Sequence, residues 1–203
     1  ETENMLSKSD NITRKVVQDD ALAIASQHKR CGLGISMGVG KTRIAINHIL
    51  KNYNAFLKVL VVVPKKTVME SWLDELMKMS LTNKLIDHIE FVTYLSLNKK
   101  DPSEYDIVYL DECHSLLYTH QMFLAKFEGK ILGLTGTPPD SIMGEKYEMV
   151  EKYCPIKYTF SVDQATDNKI LNDYNIIVHN LSLSKLKTHR KKNKNGGFWY
   201  TSE

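Results

Sequence analysis

The stretch Gly34-Ile35-Ser36-Met37-Gly38-Val39-Gly40-Lys41-Thr42 follows a short apolar run and precedes a helical pattern. A loop that turns its backbone N–H groups inward around a phosphate needs residues tolerant of positive φ, and Gly38 and Gly40 supply them. Lys41 then offers a point charge to phosphoryl oxygens, and Thr42 a hydroxyl to a hard cation. The helix that begins there directs its positive end at the same place. The expected chemistry is the grip of a nucleoside triphosphate by Met37, Gly38, Val39, Gly40, Lys41, Thr42 and Arg43. The strict pattern places its first glycine at position 35, where this chain has Ile35.

Asp106-Ile107-Val108-Tyr109-Leu110-Asp111-Glu112-Cys113-His114 lies further along the chain. An apolar strand here ends in adjacent carboxylates. Successive strand residues point to opposite sides, so one carboxylate is expected to face a metal and the other an attacking water. Asp111, with Thr42, is the candidate Mg²⁺ ligand. Glu112 is the candidate base. A carboxylate pair at a strand end is otherwise an ordinary solvated feature, and its place downstream of a phosphate loop gives it meaning.

With these segments on the page, the chain resembles the first RecA-like motor domain of a superfamily 2 helicase or translocase. Asp111-Glu112-Cys113-His114 resembles that family's second motif in its DExH form. Leu134-Thr135-Gly136-Thr137-Pro138-Pro139 resembles the third motif. Its T-G-T-P form is shared by Swi/Snf-type translocases, restriction-enzyme motors and phage recombination helicases. Val61-Val62-Val63-Pro64-Lys65-Lys66-Thr67, with Trp72 beyond, is similar to motif Ia, and Phe91-Val92-Thr93-Tyr94 to the element after it. Gln18, in Gln18-Asp19-Asp20-Ala21, stands 23 residues before Lys41 and resembles the adenine-reading glutamine. The family pattern has an aromatic just before that glutamine, and this chain has Val17.

The resemblance implies ATP and Mg²⁺ as cofactors. It makes Lys41, Asp111, Glu112 and His114 the catalytic set, with Thr135, Gly136 and Thr137 relaying phosphate state through His114. It assigns Pro64, Lys65, Lys66, Thr67, Thr93 and Tyr94 to a nucleic-acid backbone. No base-reading set is evident, so the track is expected to be followed without regard to sequence. Trp72 reads as helix core. The T-G-T-P form and the segment after residue 160 favour DNA over RNA. Arginines from a second motor domain complete such sites, so this chain alone is expected to hydrolyse ATP slowly.

The elements that must position these residues alternate. Helical patterns cover 16–28, 42–53 and Thr67 to Met79, the last with Thr67 as N-cap and Glu70 closing a capping box. Strand patterns cover 31–36, 57–63, 89–93, 106–110 and 130–134. Strands separated by helices predict βαβ crossovers, hence an α/β fold with a parallel sheet and helices on both faces. The near-continuous Val/Leu run at 57–63 suits a central strand buried on both sides. Ligands in such sheets bind beyond the strands' C-terminal ends, where the phosphate loop and Asp111-Glu112 both fall.

The 203 residues accommodate one sizeable α/β core. Residues 1–13 read as a flexible N-terminus and 14–160 as the motor domain. Residues 161–203 read as a linker and the start of a missing second domain, with departure from the motor core beginning at Pro155. Within that part, 174–183 reads as a strand and 184–197 as a mobile basic loop. Thr201-Ser202-Glu203 reads as the opening of a helix cut from a longer chain. The net charge of +3 conceals a basic cluster at 185–194, without which the body is mildly acidic. Cys31, Cys113 and Cys154 lack metal-ligand spacing and read as free thiols in a reducing compartment. With no long apolar run, no membrane span is expected, and the expected location is cytoplasmic. The Lys/Asn/Ile-rich composition points to a phage or viral source. The rival readings are a nucleic-acid-binding module with a vestigial ATPase, and a scaffold that uses the basic cluster.

Overall fold

A computed structural model describes residues 12–172, together with the backbone of 188–192 and 198–202. Two compact units divide at Asn172/Asp173. The larger is built on a six-stranded sheet of order β3-β2-β4-β5-β1-β6. Its strands are β1 (Arg30–Ile35), β2 (Val59–Val63), β3 (Ile89–Thr93), β4 (Ile107–Asp111), β5 (Lys130–Thr135) and β6 (Ile156–Phe160). Every pairing is parallel. The helices are α1 (Arg14–Gln27), α2 (Lys41–Lys51), α3 (Lys66–Lys78), α4 (Thr82–Leu85), α5 (Gln121–Leu124), α6 (Glu145–Tyr153) and α7 (Val162–Asp167).

Side-chain alternation sorts each central strand between two apolar clusters. Val59, Val61 and Val63 of β2 and Ile107 and Tyr109 of β4 join α1, α2 and α3 on one face. Leu60, Val62, Val108 and Leu110 join α5 and α6 on the other. Burial on both faces explains why these strands lack polar residues until their C-terminal ends. The crossovers bring α2, α3 and the loops after β4 and β5 to that one end, where the chemistry collects.

Several sequence expectations are corrected. The helix after β2 begins at Lys66 with Lys65 as N-cap, and no side chain caps it, so the capping box read from Thr67 and Glu70 does not form. Proline at 64 already fixes the approach of the chain, and the first turn starts one residue early. The expected departure from the core at Pro155 is overturned. Ile156–Phe160 adds to β1 as an edge strand, with Ile35 opposite Phe160. Ile156, Tyr158 and Phe160 are less exposed than Lys157 and Thr159 between them, a period-two pattern.

The smaller unit holds an antiparallel pair, β7 (Thr188–Lys192) and β8 (Phe198–Ser202). Part of the run read as a mobile basic loop is therefore strand, and Thr201 and Ser202 continue β8 rather than open a helix. The β-prone Phe198-Trp199-Tyr200-Thr201 is the local reason. The strand expected at 174–183 and the first eleven residues of the expected flexible N-terminus lie outside the described residues. Ile12 and Thr13 are held in place. Thr13 caps α1 by accepting from the Val16 N–H, and the Ile12 N–H donates to Asn168 Oδ1 at 3.2 Å.

Candidate nucleotide-binding and hydrolysis site

β1 ends at Ile35 and the chain enters a tight loop, Ser36 to Gly40, before α2 starts at Lys41. Gly38 has φ of 87° and Gly40 of 105°, both in the region that favours glycine. Gly40 is the N-cap and contributes no side-chain acceptor, so the first-turn N–H groups of α2 are left for an outside anion. Ile35 stands where the strict pattern has glycine because here that position is still strand, fully buried and paired to β6. Val39 is buried and pins the loop to the core, and its carbonyl accepts from Gln18 Nε2 at 2.7 Å. Gln18 is thereby joined to the phosphate loop itself.

Lys41 Nζ donates to the Ile35 carbonyl at 3.2 Å and lies 4.0 Å from Glu112 Oε1. The lysine and the acidic pair, seventy residues apart in the chain, therefore share one site. Asp111 closes β4 and is nearly buried. Its Oδ2 accepts the Trp72 indole N–H at 2.8 Å and its Oδ1 the Glu112 N–H at 3.0 Å. Burial pushes the Asp111 carboxyl up from the ordinary carboxylate range. The Trp72 bond opposes that, the neighbouring Glu112 adds to it, and Lys41 opposes it.

Simple strand alternation does not place Glu112. It has φ of 50° and ψ of 57°, a left-handed conformation just beyond the strand. Such a backbone costs a non-glycine residue on the order of 1 kcal/mol. Its consequence is to bring the carboxylate toward Lys41 and His114. His114 Nδ1 lies 2.8 Å from Thr135 Oγ1, 3.3 Å from Thr137 Oγ1 and 3.4 Å from Glu112 Oε2. The Thr137 N–H donates to Thr135 Oγ1 at 3.1 Å, and the Thr135 hydroxyl stands 3.5 Å from Glu112 Oε2. Gly136 lies between these threonines, close to Lys41: a Cβ there would stand 3.4 Å from Lys41 Nζ. The loops after β4 and β5 thus share a single hydroxyl–imidazole–carboxylate cluster.

Beside the loop opens a cavity of about 480 Å³ whose lining includes Gln18, Gly38, Gly40, Thr42 and Arg43. Met37 is exposed at the loop tip. Arg43 pairs with Glu75 of α3 at 2.7 Å. Arg14, which the sequence did not single out, also lines the cavity, and its guanidinium donates to the Ile170 carbonyl at 3.0 Å. The signal was present as a basic residue one helical turn before Gln18.

At the ends of β2 and β3 the arrangement is more open. Lys65, Lys66 and Thr67 are exposed, while Pro64 and Thr93 are half-buried. Tyr94, assigned by resemblance to a nucleic-acid backbone, does not present its side chain to solvent. It is buried, and its hydroxyl donates to the Asp111 carbonyl at 2.9 Å. A tyrosine at a strand end packs inward when a buried carbonyl needs a donor. Trp72, read as core, is core with a polar duty toward Asp111.

The donor set fits a triphosphate with a hard cation. Among the described residues Ser36 Oγ is buried without a hydrogen-bond partner, a hydroxyl for which a phosphate oxygen would be an acceptor. Among the described residues no cluster of three or more His, Cys, Asp or Glu could hold a metal alone. The oxygens of Thr42 and Asp111 suit Mg²⁺, which takes few protein ligands and completes its shell with phosphate and water.

The six-stranded parallel sheet and the loop that joins β1 to α2 define a RecA-like P-loop fold. The family model described as "Type III restriction enzyme, res subunit" matches residues 6–140, more than half of the chain, and the chain belongs to that family. It is the first RecA-like domain of the superfamily 2 helicase type.

Similar curated proteins include "Putative ATP-dependent RNA helicase QP509L" of African swine fever virus. The Pig/Kenya/KEN-50/1950 form is 30% identical over 151 residues, covering 64% of this chain and 29% of the relative. The Tick/South Africa/Pretoriuskop Pr4/1996 form is 30% identical over 153 residues with the same coverage. The chain therefore spans less than a third of these relatives. Among solved structures, the UvsW helicase of bacteriophage T4 superposes with a TM-score of 0.61 at 17% identity, over 77% of this chain and 69% of that one. The SWI2/SNF2 ATPase core of Sulfolobus solfataricus, solved with dsDNA, gives 0.52 at 19% identity, over 75% and 38%. These likenesses show the fold. No helix among the described residues is long and apolar enough to cross a membrane.

Proposed function

We propose that this chain is the ATP-binding half of a motor that moves along nucleic acid by hydrolysing ATP. The observation that carries the reading is the convergence of Lys41, Asp111, Glu112, His114 and Thr135 at one end of the sheet. In this reading the backbone of Gly38 to Gly40 and the N-terminus of α2 cradle the phosphates. Lys41 leaves the Ile35 carbonyl for the phosphoryl oxygens. Gln18 and the adjoining cavity receive the base. Thr42 and Asp111 would hold Mg²⁺, which would offset the negative charge of the phosphoryl oxygens. Glu112 orients the lytic water and takes its proton. His114, Thr135 and Thr137 form the cluster through which a change at Glu112 reaches the loop after β5.

Lys65, Lys66 and Thr67, at an uncapped helix N-terminus, together with Thr93, grip the backbone of the track. Tyr94 acts from behind, through Asp111. The track is read as DNA from the Thr135-Gly136-Thr137-Pro138 form; the name of the viral relatives favours RNA. A second RecA-like domain in a longer parent supplies further arginines that complete the site, consistent with relatives more than three times as long as the matched part. The protein acts in the cytoplasm of the cell that houses it.

The test measures nucleotide binding and single-turnover hydrolysis by the chain and its Glu112→Gln variant, with DNA or RNA competing for the track. Retained ATP binding with lost hydrolysis is expected, and tighter retention of DNA than of RNA. Equal hydrolysis by both proteins would leave a binding module with no working ATPase. Stronger retention of RNA would reassign the track.

A further inference from the structure

Helix α3 touches the site twice. Its Glu75 holds Arg43 of α2, and its Trp72 reaches the carboxylate that ends β4. Trp72 is fully buried, with edge-on ring contacts to Phe91 and Tyr109 at centroid separations of 6.2 Å and 6.1 Å. Strands on either side of β2 therefore fix the plane of the indole. The indole has a single N–H, and that N–H is spent on Asp111 Oδ2. Among the described residues, the other oxygen of Asp111 receives only the adjacent backbone N–H. Apart from that local bond, Trp72 is the side chain that orients the carboxylate. The same helix starts in the exposed Lys65-Lys66-Thr67 loop.

We propose that Trp72 is a positioning residue for Asp111, so that the Mg²⁺ affinity of the site depends on where α3 sits. The assignment rests on the reading of Asp111 as the metal-side carboxylate. A ligand held by a neighbouring donor presents a fixed lone pair to the cation. Without the donor it must be ordered at the moment of binding, and removing such supporting partners typically weakens metal affinity by ~10–100-fold. The nucleic-acid loop and the metal carboxylate then lie on one rigid path: loop, helix, indole, carboxylate.

The experiment titrates Mg²⁺ against binding of a fluorescent ADP analogue to the 203-residue chain, its Trp72→Phe and Asp111→Asn variants, and the double variant. Trp72→Phe is expected to raise the half-saturating Mg²⁺ concentration by about tenfold, with nucleotide binding in EDTA unchanged. Added to Asp111→Asn, it should bring no further increase. A merely structural Trp72 would lower the melting temperature equally in both backgrounds and leave the Mg²⁺ requirement alone. That result, or additive effects in the double variant, overturns the proposal. If Asp111→Asn does not alter the Mg²⁺ requirement, the metal-site reading has failed and the proposal falls with it. Failure of Trp72→Phe alone leaves that reading standing.

A measurement that keeps Trp72 in place covers the case in which its variant does not fold. In the Trp199→Phe chain the one remaining indole N–H NMR signal belongs to Trp72. It should move on addition of Mg²⁺ with ADP, and again in Asp111→Asn. A signal that stays fixed in both cases overturns the proposal.

Discussion

The two stretches of loop at the C-terminal end of the sheet are built differently. After β1, β4 and β5, polar side chains meet at close range: Lys41 lies 4.0 Å from Glu112, and His114 with Thr135 and Thr137, and Asp111 with Trp72, are at hydrogen-bond distance. After β2 and β3, Lys65, Lys66 and Thr67 stand in solvent, and α3 has no side-chain cap. A proton transfer fails if its groups are misplaced by a fraction of an ångström, so the first stretch is packed and prepared in advance. A grip on successive, identical phosphates must form and release, and exposed charge at a helix end does that with little internal order.

The comparison breaks first at Lys41. Lys41→Ala removes the charge-assisted contact around which the packed stretch is arranged. The expected loss in ATP affinity is about a hundredfold, read by titration with a fluorescent analogue. Unchanged affinity would mean that the tight cluster serves structure instead of nucleotide.

The second test is acid. His48 lies under the packed stretch, fully buried, with Nδ1 2.6 Å from the Tyr109 hydroxyl. Burial lowers its pKa from 6.5 to about 4, and nearby lysines add to the effect. The unfolded chain takes up a proton below pH 6.5 that the folded chain refuses until about pH 4. This contribution to stability is therefore complete above pH 6.5 and is lost as the pH falls toward 4. Between pH 7 and 5 the loss should be on the order of 2 kcal/mol. Chemical denaturation at several pH values should show it, and His48→Leu should flatten the dependence.

A smaller effect is expected from Gly40→Ala. Its Cβ would stand 2.6 Å from Gln18 Nε2 at a φ of 105°. The melting temperature should fall by an amount equivalent to ~1–2 kcal/mol, with weakened nucleotide binding. The open stretch gives the mildest response. Replacing Lys65 and Lys66 with alanine should leave stability within ~0.5 kcal/mol. The salt slope of DNA binding should drop by about one to two units. A large stability loss there would erase the contrast between the two stretches.

The parts legible in the sequence are those where one residue type has one use. Gly38 and Gly40 mark positive φ, Lys41 and Thr42 mark an anion, and an apolar run ending in Asp111-Glu112 marks a strand reaching a polar edge. The parts that escaped depend on long-range partners. Tyr94 and Trp72 look like ordinary aromatics until the fold sets both against Asp111. Glu112 looks like the next step of a strand, yet its backbone is left-handed. β6 was missed because an edge strand of alternating residues resembles a polar linker when its neighbour is more than a hundred residues upstream. The capping box satisfied a local rule that the Pro64 entry overrode.

The strand that carries the phosphate loop lies in from the margin of the sheet, laddered to β5 on one flank and to β6 on the other. Its amides can meet solvent only after one of those ladders parts. Residues 31–35 should therefore be among the last in the molecule to exchange their hydrogens, while the neighbouring glycines trade theirs readily. The nucleotide is thus received on a stem that the sheet holds from both flanks.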